Sequence, residues 1–155
     1  MAHLLRLYRR IASGLSPLHS VMLLAVRLYW GFQFSQTGWG KLHNLAKITA
    51  FFASLNIPFP GFTAPFVSTL EFLGGILLML GLFSRPFALL LACSMFVAYW
   101  TVDREALSAI FSDPGKFYAA DPYTFLFASL MVLIFGAGLF AIDTLVARRL
   151  EAVEG

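Results

Sequence analysis

The chain has 155 residues, of which 59% are hydrophobic and only 12% are charged, whereas about 25% of the residues of an average soluble domain are charged. A chain this small folded in water would lack the polar side chains to cover its surface, so the composition excludes a soluble globular enzyme, a disulfide-rich secreted scaffold and a disordered tail. The formal net charge is +3, but the Lys and Arg residues flank apolar runs and form no single basic face, which argues against a nucleic-acid partner and for a lipid bilayer.

Four apolar stretches follow one another along the chain, at residues 20–38, 65–83, 86–102 and 123–142. Each has about the length that a helix needs to cross a hydrocarbon core of about 30 Å. The sequence therefore predicts an all-α fold, with one integral membrane domain over residues 1–155 built as a membrane four-helix bundle.

Proline residues mark the predicted helix starts. Ser16-Pro17 supplies a capping hydroxyl and a first-turn proline to the first span, and Pro65 and Pro86 open the second and third spans in the same way. Arginines precede the first run as in a signal peptide, but the run is long and lacks a small-x-small cleavage site. We therefore expect an uncleaved membrane anchor.

Two loops between the spans carry helical patterns of their own. Apolar residues recur at helical spacing over residues 45–55, before the helix breakers at 56–60, which predicts a short amphipathic helix at the membrane interface after the first span. A second short helix is predicted at residues 103–111, followed by a turn at 113–115.

The orientation follows from the positive charges. With four crossings both termini lie on the same side, which carries six of the ten Lys and Arg residues outside the spans: Arg6, Arg9, Arg10, Arg85, Arg148 and Arg149. Lys and Arg accumulate in cytoplasmic loops. We therefore predict a multi-pass inner-membrane protein with both termini in the cytoplasm and residues 41–61 and 103–121 outside.

Two charged residues fall inside the predicted spans, Arg27 in the first and Glu71 in the second. A charge at the bilayer centre costs about 2.5 to 3.5 kcal/mol on insertion scales, so each residue needs a partner. The predicted offset of roughly 8 Å along the membrane normal is within the reach of an arginine side chain. We expect an Arg27–Glu71 ion pair, which either fixes the helix register or serves a redox site in which Glu71 transfers protons.

Small residues share a helix face with each of these two charges at 100° per residue. The predicted structural glycines are Gly31 and Gly38 on the first span and Gly74 and Gly75 on the second. Lys41 continues the face of the first span. Because small residues let membrane helices approach closely, the two faces are expected to pack together.

Arg85 and Asp143 form a second candidate pair. Arg85 lies in the short hairpin between the second and third spans, and Asp143 closes the fourth span, so both are expected at the cytoplasmic end. We predict a structural staple between them, with a functional site as the alternative.

The sequence predicts no metal site. Cys93 is the only cysteine, which excludes an intramolecular disulfide and a CxxC redox pair, and we interpret it as a small core residue. The three histidines lie outside the predicted spans, where they cannot supply paired axial ligands to a haem.

Five short motifs follow one another with characteristic separations. They are Arg27 to Leu42, Phe59-Pro60, Glu71 to Gly75, Gly81 to Arg85, and Gly138 to Asp143. In this order they resemble the DoxX family of small four-helix membrane proteins, over about residues 20–145. The last motif departs from the family pattern, which has a basic residue and a serine before the aspartate.

The resemblance implies a redox-associated role, because founding members of the family are described as subunits of a membrane thiosulfate:quinone oxidoreductase and others associate with redox-stress complexes. It also places the family's polar positions on Arg27, Lys41, Glu71, Arg85 and Asp143. We therefore expect a quinone-linked subunit in which Glu71 handles protons and Arg27 or Lys41 binds a quinone oxygen or an anionic donor.

No covalent cofactor or metal is predicted, so electron transfer would require a cofactor-bearing partner protein. The alternative is a non-catalytic membrane adaptor or small-molecule-binding module. Neither hypothesis, the quinone-linked subunit or the membrane adaptor, decides whether the chain is an enzyme or whether it forms homo-oligomers.

Overall fold

The computed structural model describes the backbone of residues 2–154 and the side chains of residues 18–152. Eight helices and no strand are found within these residues, so the predicted all-α class is confirmed. The helices are α1 (Ala2–His43), α2 (Leu45–Ser54), α3 (Pro60–Leu80), α4 (Ser84–Thr101), α5 (Arg104–Ser108), α6 (Pro114–Ala119), α7 (Pro122–Phe135) and α8 (Ile142–Glu154).

Two predicted helix starts are wrong. Helix α1 begins at Ala2 and runs through Ser16-Pro17, because the residues before that dipeptide are mostly Leu, Arg and Ala, which favour a helix. Helix α3 begins at Pro60, and Pro65 lies inside it. The backbone of Phe59 is left-handed, with φ of 51°, so the chain turns there and Pro60 takes the first helical position, where its missing N–H costs nothing.

The fourth predicted span is shorter as a helix than its hydropathy indicates. Helix α7 ends at Phe135, seven residues before the predicted end. Gly136 and Gly138 follow with φ of 81° and 76°, values that a right-handed helix cannot contain. Residues 136–141 therefore form an irregular segment, and α8 begins at Ile142.

The long helices pack side by side. Helix α1 lies against α3 and α7, and α4 lies against α7 and α3. The short helix α2, which occupies the segment predicted to be amphipathic, packs on α3.

Helices α5 and α6 connect α4 to α7, and α6 occupies the predicted turn at 113–115. Proline at 114 can open a helix as readily as a turn, which explains the difference.

The described surface is far more apolar than that of a soluble protein. The interior contains Arg27, Glu71 and several serines together with apolar residues. The surface carries large apolar side chains on every long helix, among them Phe32, Trp39, Phe66, Phe96, Trp100, Phe127 and Ile134. Cys93 is also exposed rather than in the core. Such a surface is suited to contact with lipid.

Among the described helices, one is both long enough and apolar enough to cross a membrane by length and composition, namely α3. Helix α7 is apolar but has only 14 residues.

Candidate functional site

Helices α1 and α3 approach each other closely along the predicted glycine faces. A Cβ atom on Gly75 would lie 2.5 Å from the carbonyl oxygen of Gly31, and one on Gly31 would lie 2.8 Å from the carbonyl oxygen of Gly75. A Cβ atom on Gly38 would clash with the backbone of Phe72. Gly74 faces the other way, toward Leu91 of α4. Three of the four predicted glycines thus lie at the contact between α1 and α3.

Glu71 is paired with Lys41. The Lys41 Nζ atom lies 2.7 Å from Glu71 Oε1, and the Glu71 side chain is only 2% exposed. It is the one ion pair among side chains 18–152. Because the lysine stem is long and flexible, Lys41 reaches back along α1 to a carboxylate buried between the helices.

The predicted Arg27–Glu71 ion pair is therefore wrong. The antiparallel contact between the glycine faces brings Arg27 to the level of Leu78 and Met79. These residues are about two helical turns from Glu71, roughly 10 Å along the axis of α3. Helix midpoints estimated from hydropathy do not fix such a register, and this is why the prediction failed.

Arg27 is 1% exposed and directs its guanidinium at backbone carbonyls. Nε donates to Leu78 at 3.0 Å and Nη2 to Met79 at 3.1 Å, both at the carboxyl-terminal end of α3. Nη1 donates to Ala137, and Nη2 donates also to Phe140 at 3.0 Å, both in the irregular segment. The last carbonyls of a helix lack partners within the helix and carry partial negative charge. Arg27 satisfies them without a carboxylate.

Asp143 forms hydrogen bonds with backbone groups between the end of α3 and the start of α4. Its two carboxylate oxygens accept hydrogen bonds from the backbone N–H groups of Phe83, at 2.8 Å, and Ser84, at 2.9 Å, where α4 begins. Its own N–H donates to the carbonyl of Gly81. Arg85 instead donates to the carbonyl of Ile134, at 3.5 Å. The predicted Asp143–Arg85 contact is therefore not formed. Both carboxylate oxygens of Asp143 instead accept hydrogen bonds from the backbone N–H groups at the start of α4.

A cavity of about 240 Å³ opens beside the Lys41–Glu71 pair. Four helices contribute to it, and the side chains around it are Phe34, Thr37, Lys41, Glu71, Met95, Ala98, Asp121, Pro122 and Phe125. Glu71 Oε2 is buried and has no hydrogen-bond partner among the described residues. An unpaired buried carboxylate oxygen is costly, so this atom is the natural acceptor for a group that enters the cavity.

The charged residues selected from the sequence thus separate into two groups. Lys41 and Glu71 line the cavity, whereas Arg27 and Asp143 hold backbone groups at the opposite end of α3 and at the start of α4. The apolar walls, including Phe34, were not identified as site residues, since nothing in an apolar membrane sequence distinguishes them from lipid-facing positions. No cluster of His, Cys, Asp or Glu among the described side chains could hold a metal ion.

Comparison with known proteins agrees with this picture of a membrane chain. The DoxX family model matches residues 22–104. The inner membrane protein YqjF of Escherichia coli strain K12 is 32% identical over 78 residues, which are 50% of this chain and 58% of that relative. No solved structure matches the chain. The matched residues include Arg27, Lys41, Glu71 and Arg85 but end before Asp143.

Proposed function

Because the chain belongs to the DoxX family, we propose that it is a multi-pass inner-membrane protein whose helices α1, α3, α4 and α7 form a four-helix membrane bundle over one domain. In this proposal the bundle is a quinone-linked redox subunit that acts with a cofactor-bearing partner protein. The observation that carries the proposal is the cavity lined by the paired Lys41 and Glu71, in which Glu71 Oε2 has no partner among the described residues.

Two features support the four-span topology. The lipid-suited surface extends over all four helices, and the Escherichia coli relative is named as an inner membrane protein. Helix α7 has 14 residues, about 21 Å, so residues 136–141 would complete its crossing of a core of about 30 Å. Irregular backbone is tolerated at membrane depth only where protein groups satisfy it, and Arg27 does so for two of its carbonyls.

The donors and acceptors in the cavity fit a quinone head group. Lys41 Nζ donates to Glu71 and has two further N–H groups, which can donate to a quinone oxygen. Glu71 Oε2 can accept a hydrogen bond from a quinol hydroxyl. Phe34, Met95 and Phe125 supply apolar walls for the ring, and the small volume leaves the isoprenoid tail to extend into the bilayer.

Reduction of a quinone to a quinol takes up two electrons and two protons. Glu71 is the group positioned to pass protons to the ligand oxygen, and Lys41 holds that oxygen and balances the carboxylate charge. The electrons come from the cofactor of the partner protein, since a bundle of this kind supplies the binding site and not the electron carrier. Arg27 takes no part in binding, because its guanidinium is already committed to four carbonyls.

The test is equilibrium binding of a short-chain benzoquinone or naphthoquinone to the purified full chain in lipid nanodiscs. Lys41→Met and Glu71→Gln are each expected to weaken binding by about tenfold or more, the usual effect of losing one charge-assisted hydrogen bond. Lys47→Met and Glu105→Gln make the same chemical changes at exposed positions outside the cavity and should leave binding unchanged. If the wild-type chain binds neither quinone, the proposal fails and a membrane adaptor takes its place.

A further inference from the structure

A second, larger cavity lies at the other end of the bundle. Its volume is about 470 Å³, and it opens between the amino-terminal half of α1, the start of α4 and the segment that joins α7 to α8. Its polar lining consists of His19, Ser20, Ser84, Arg85, Asp143 and Thr144. Ser20 and Lys41 are about 30 Å apart along α1, so a ligand of this cavity is separate from the quinone.

The lining offers mainly hydrogen-bond donors. Ser84 is 1% exposed, and its hydroxyl is buried with no hydrogen-bond partner in the part of the chain that the structure describes. Ser20 Oγ, in the same lining, accepts a hydrogen bond from the N–H of Leu139. Buried polar groups are nearly always paired. The unpaired Ser84 O–H is therefore a donor for a ligand that carries hydrogen-bond acceptors.

Arg85 supplies a positive charge to the same cavity. It is exposed, and its one hydrogen bond to a described residue is the 3.5 Å contact with the Ile134 carbonyl, which is at the weak limit for a hydrogen bond. Most of its five N–H donors thus have no partner among the described residues. A guanidinium fork matches the oxygens of a phosphate group.

Asp143 is the one carboxylate in the lining, and its charge is already compensated. Both oxygens accept hydrogen bonds from backbone N–H groups at the start of α4, where the partial positive charge of a helix N-terminus offsets the carboxylate charge. It therefore offers little repulsion to an incoming anion. Thr144, also in the lining, donates its hydroxyl to the Gly138 carbonyl.

We propose that this cavity binds a phosphate group, held by the Arg85 guanidinium and the Ser84 hydroxyl. The phosphate can belong to the head group of an anionic phospholipid or to a free phosphate anion, and the two sources share the same recognition chemistry.

The experiment is native mass spectrometry of the detergent-solubilised full chain with phosphatidylglycerol, with phosphatidylcholine of the same acyl chains, and with inorganic phosphate alone. Wild-type protein is expected to retain phosphatidylglycerol at least fivefold more than phosphatidylcholine if the source is a lipid. Protection of the protein against thermal unfolding by millimolar inorganic phosphate identifies a free anion instead. Binding of neither probe overturns the proposal.

Variants locate the site. Arg85→Gln is expected to lower retention of the bound probe about tenfold, whereas Arg149→Gln, which removes the same charge from an exposed position outside the cavity, should change it less than twofold. Ser84→Ala removes a hydroxyl that has no protein partner, so it should leave the unliganded protein at least as stable and still weaken binding severalfold. If Arg85→Gln and Arg149→Gln lowered retention of the probe equally, retention would depend on the net surface charge and not on the cavity, which would contradict the proposal.

Discussion

Lys41 and Glu71 are 30 positions apart in the chain, yet their side chains meet at 2.7 Å across the contact between α1 and α3. The glycines of that contact bring the two helices close enough for the lysine to reach a carboxylate that is almost wholly buried. The pair is also the polar edge of a cavity. A structural contact and a candidate binding site are therefore built from the same two residues.

The first prediction concerns the stability of this pair. Lys41→Met leaves a buried carboxylate without its cation and should destabilise the protein by about 3 kcal/mol, as found when one member of a buried pair is removed. The double variant Lys41→Met with Glu71→Gln should recover much of this loss. Thermal unfolding in detergent gives the coupling energy of the double-mutant cycle.

The corresponding cycle for Arg27 and Glu71 is the control. Because these side chains have no common partner, Arg27→Met and Glu71→Gln should be additive within about 0.5 kcal/mol. A strong coupling between Arg27 and Glu71, together with none between Lys41 and Glu71, would reverse the assignment.

The second prediction tests the helix contact with two neighbouring glycines. Gly38→Ala places a methyl group against the backbone of Phe72 and should lower stability by about 2 kcal/mol or more, the range for overpacking. Gly40→Ala, on the same helix, meets no atom within 4 Å and should be neutral or stabilising by up to about 1 kcal/mol. Equal effects of the two substitutions on the melting temperature would be inconsistent with a close contact at Gly38.

The third prediction concerns the Arg27 guanidinium. Arg27→Lys keeps the charge but cannot reach carbonyls of both α3 and the irregular segment, so we expect a loss of about 2 to 4 kcal/mol from unsatisfied buried groups. Hydrogen exchange of the backbone over residues 136–141 should increase in this variant more than exchange in α4. Unchanged protection of that segment would mean that Arg27 does not hold it.

The regions of the four long helices could be predicted from the sequence, but several of their ends, helix α8 and the partners of the charged side chains could not. Hydropathy located the regions of α1, α3, α4 and α7, and helical spacing placed Lys41 on the face that carries Gly31 and Gly38. The run at 123–142 is uniformly apolar, so only Gly136 and Gly138 indicated that it would break. Two carbonyls of the irregular segment accept hydrogen bonds from Arg27. A pattern of side chains in the sequence does not indicate which backbone carbonyls will be available as partners.

The fourth prediction tests the proposed orientation, in which Lys/Arg-rich ends lie in the cytoplasm. In a chain with Cys93 replaced by alanine, a cysteine introduced at Asn56, an exposed position, should react with a membrane-impermeant maleimide added outside intact cells. A cysteine at Arg149 should react only after permeabilisation. The reverse pattern would invert the topology.

The binding of a quinone beside Lys41 and Glu71 is tested most directly by photolabelling with an azido-quinone, followed by peptide mapping of the full chain in nanodiscs. The account predicts that the label is found on residues that line the cavity, such as Phe34, Met95 or Phe125, and that Glu71→Gln removes it while Glu105→Gln does not. Labelling spread over the lipid-facing surface of the helices, with the same yield in both variants, would contradict it.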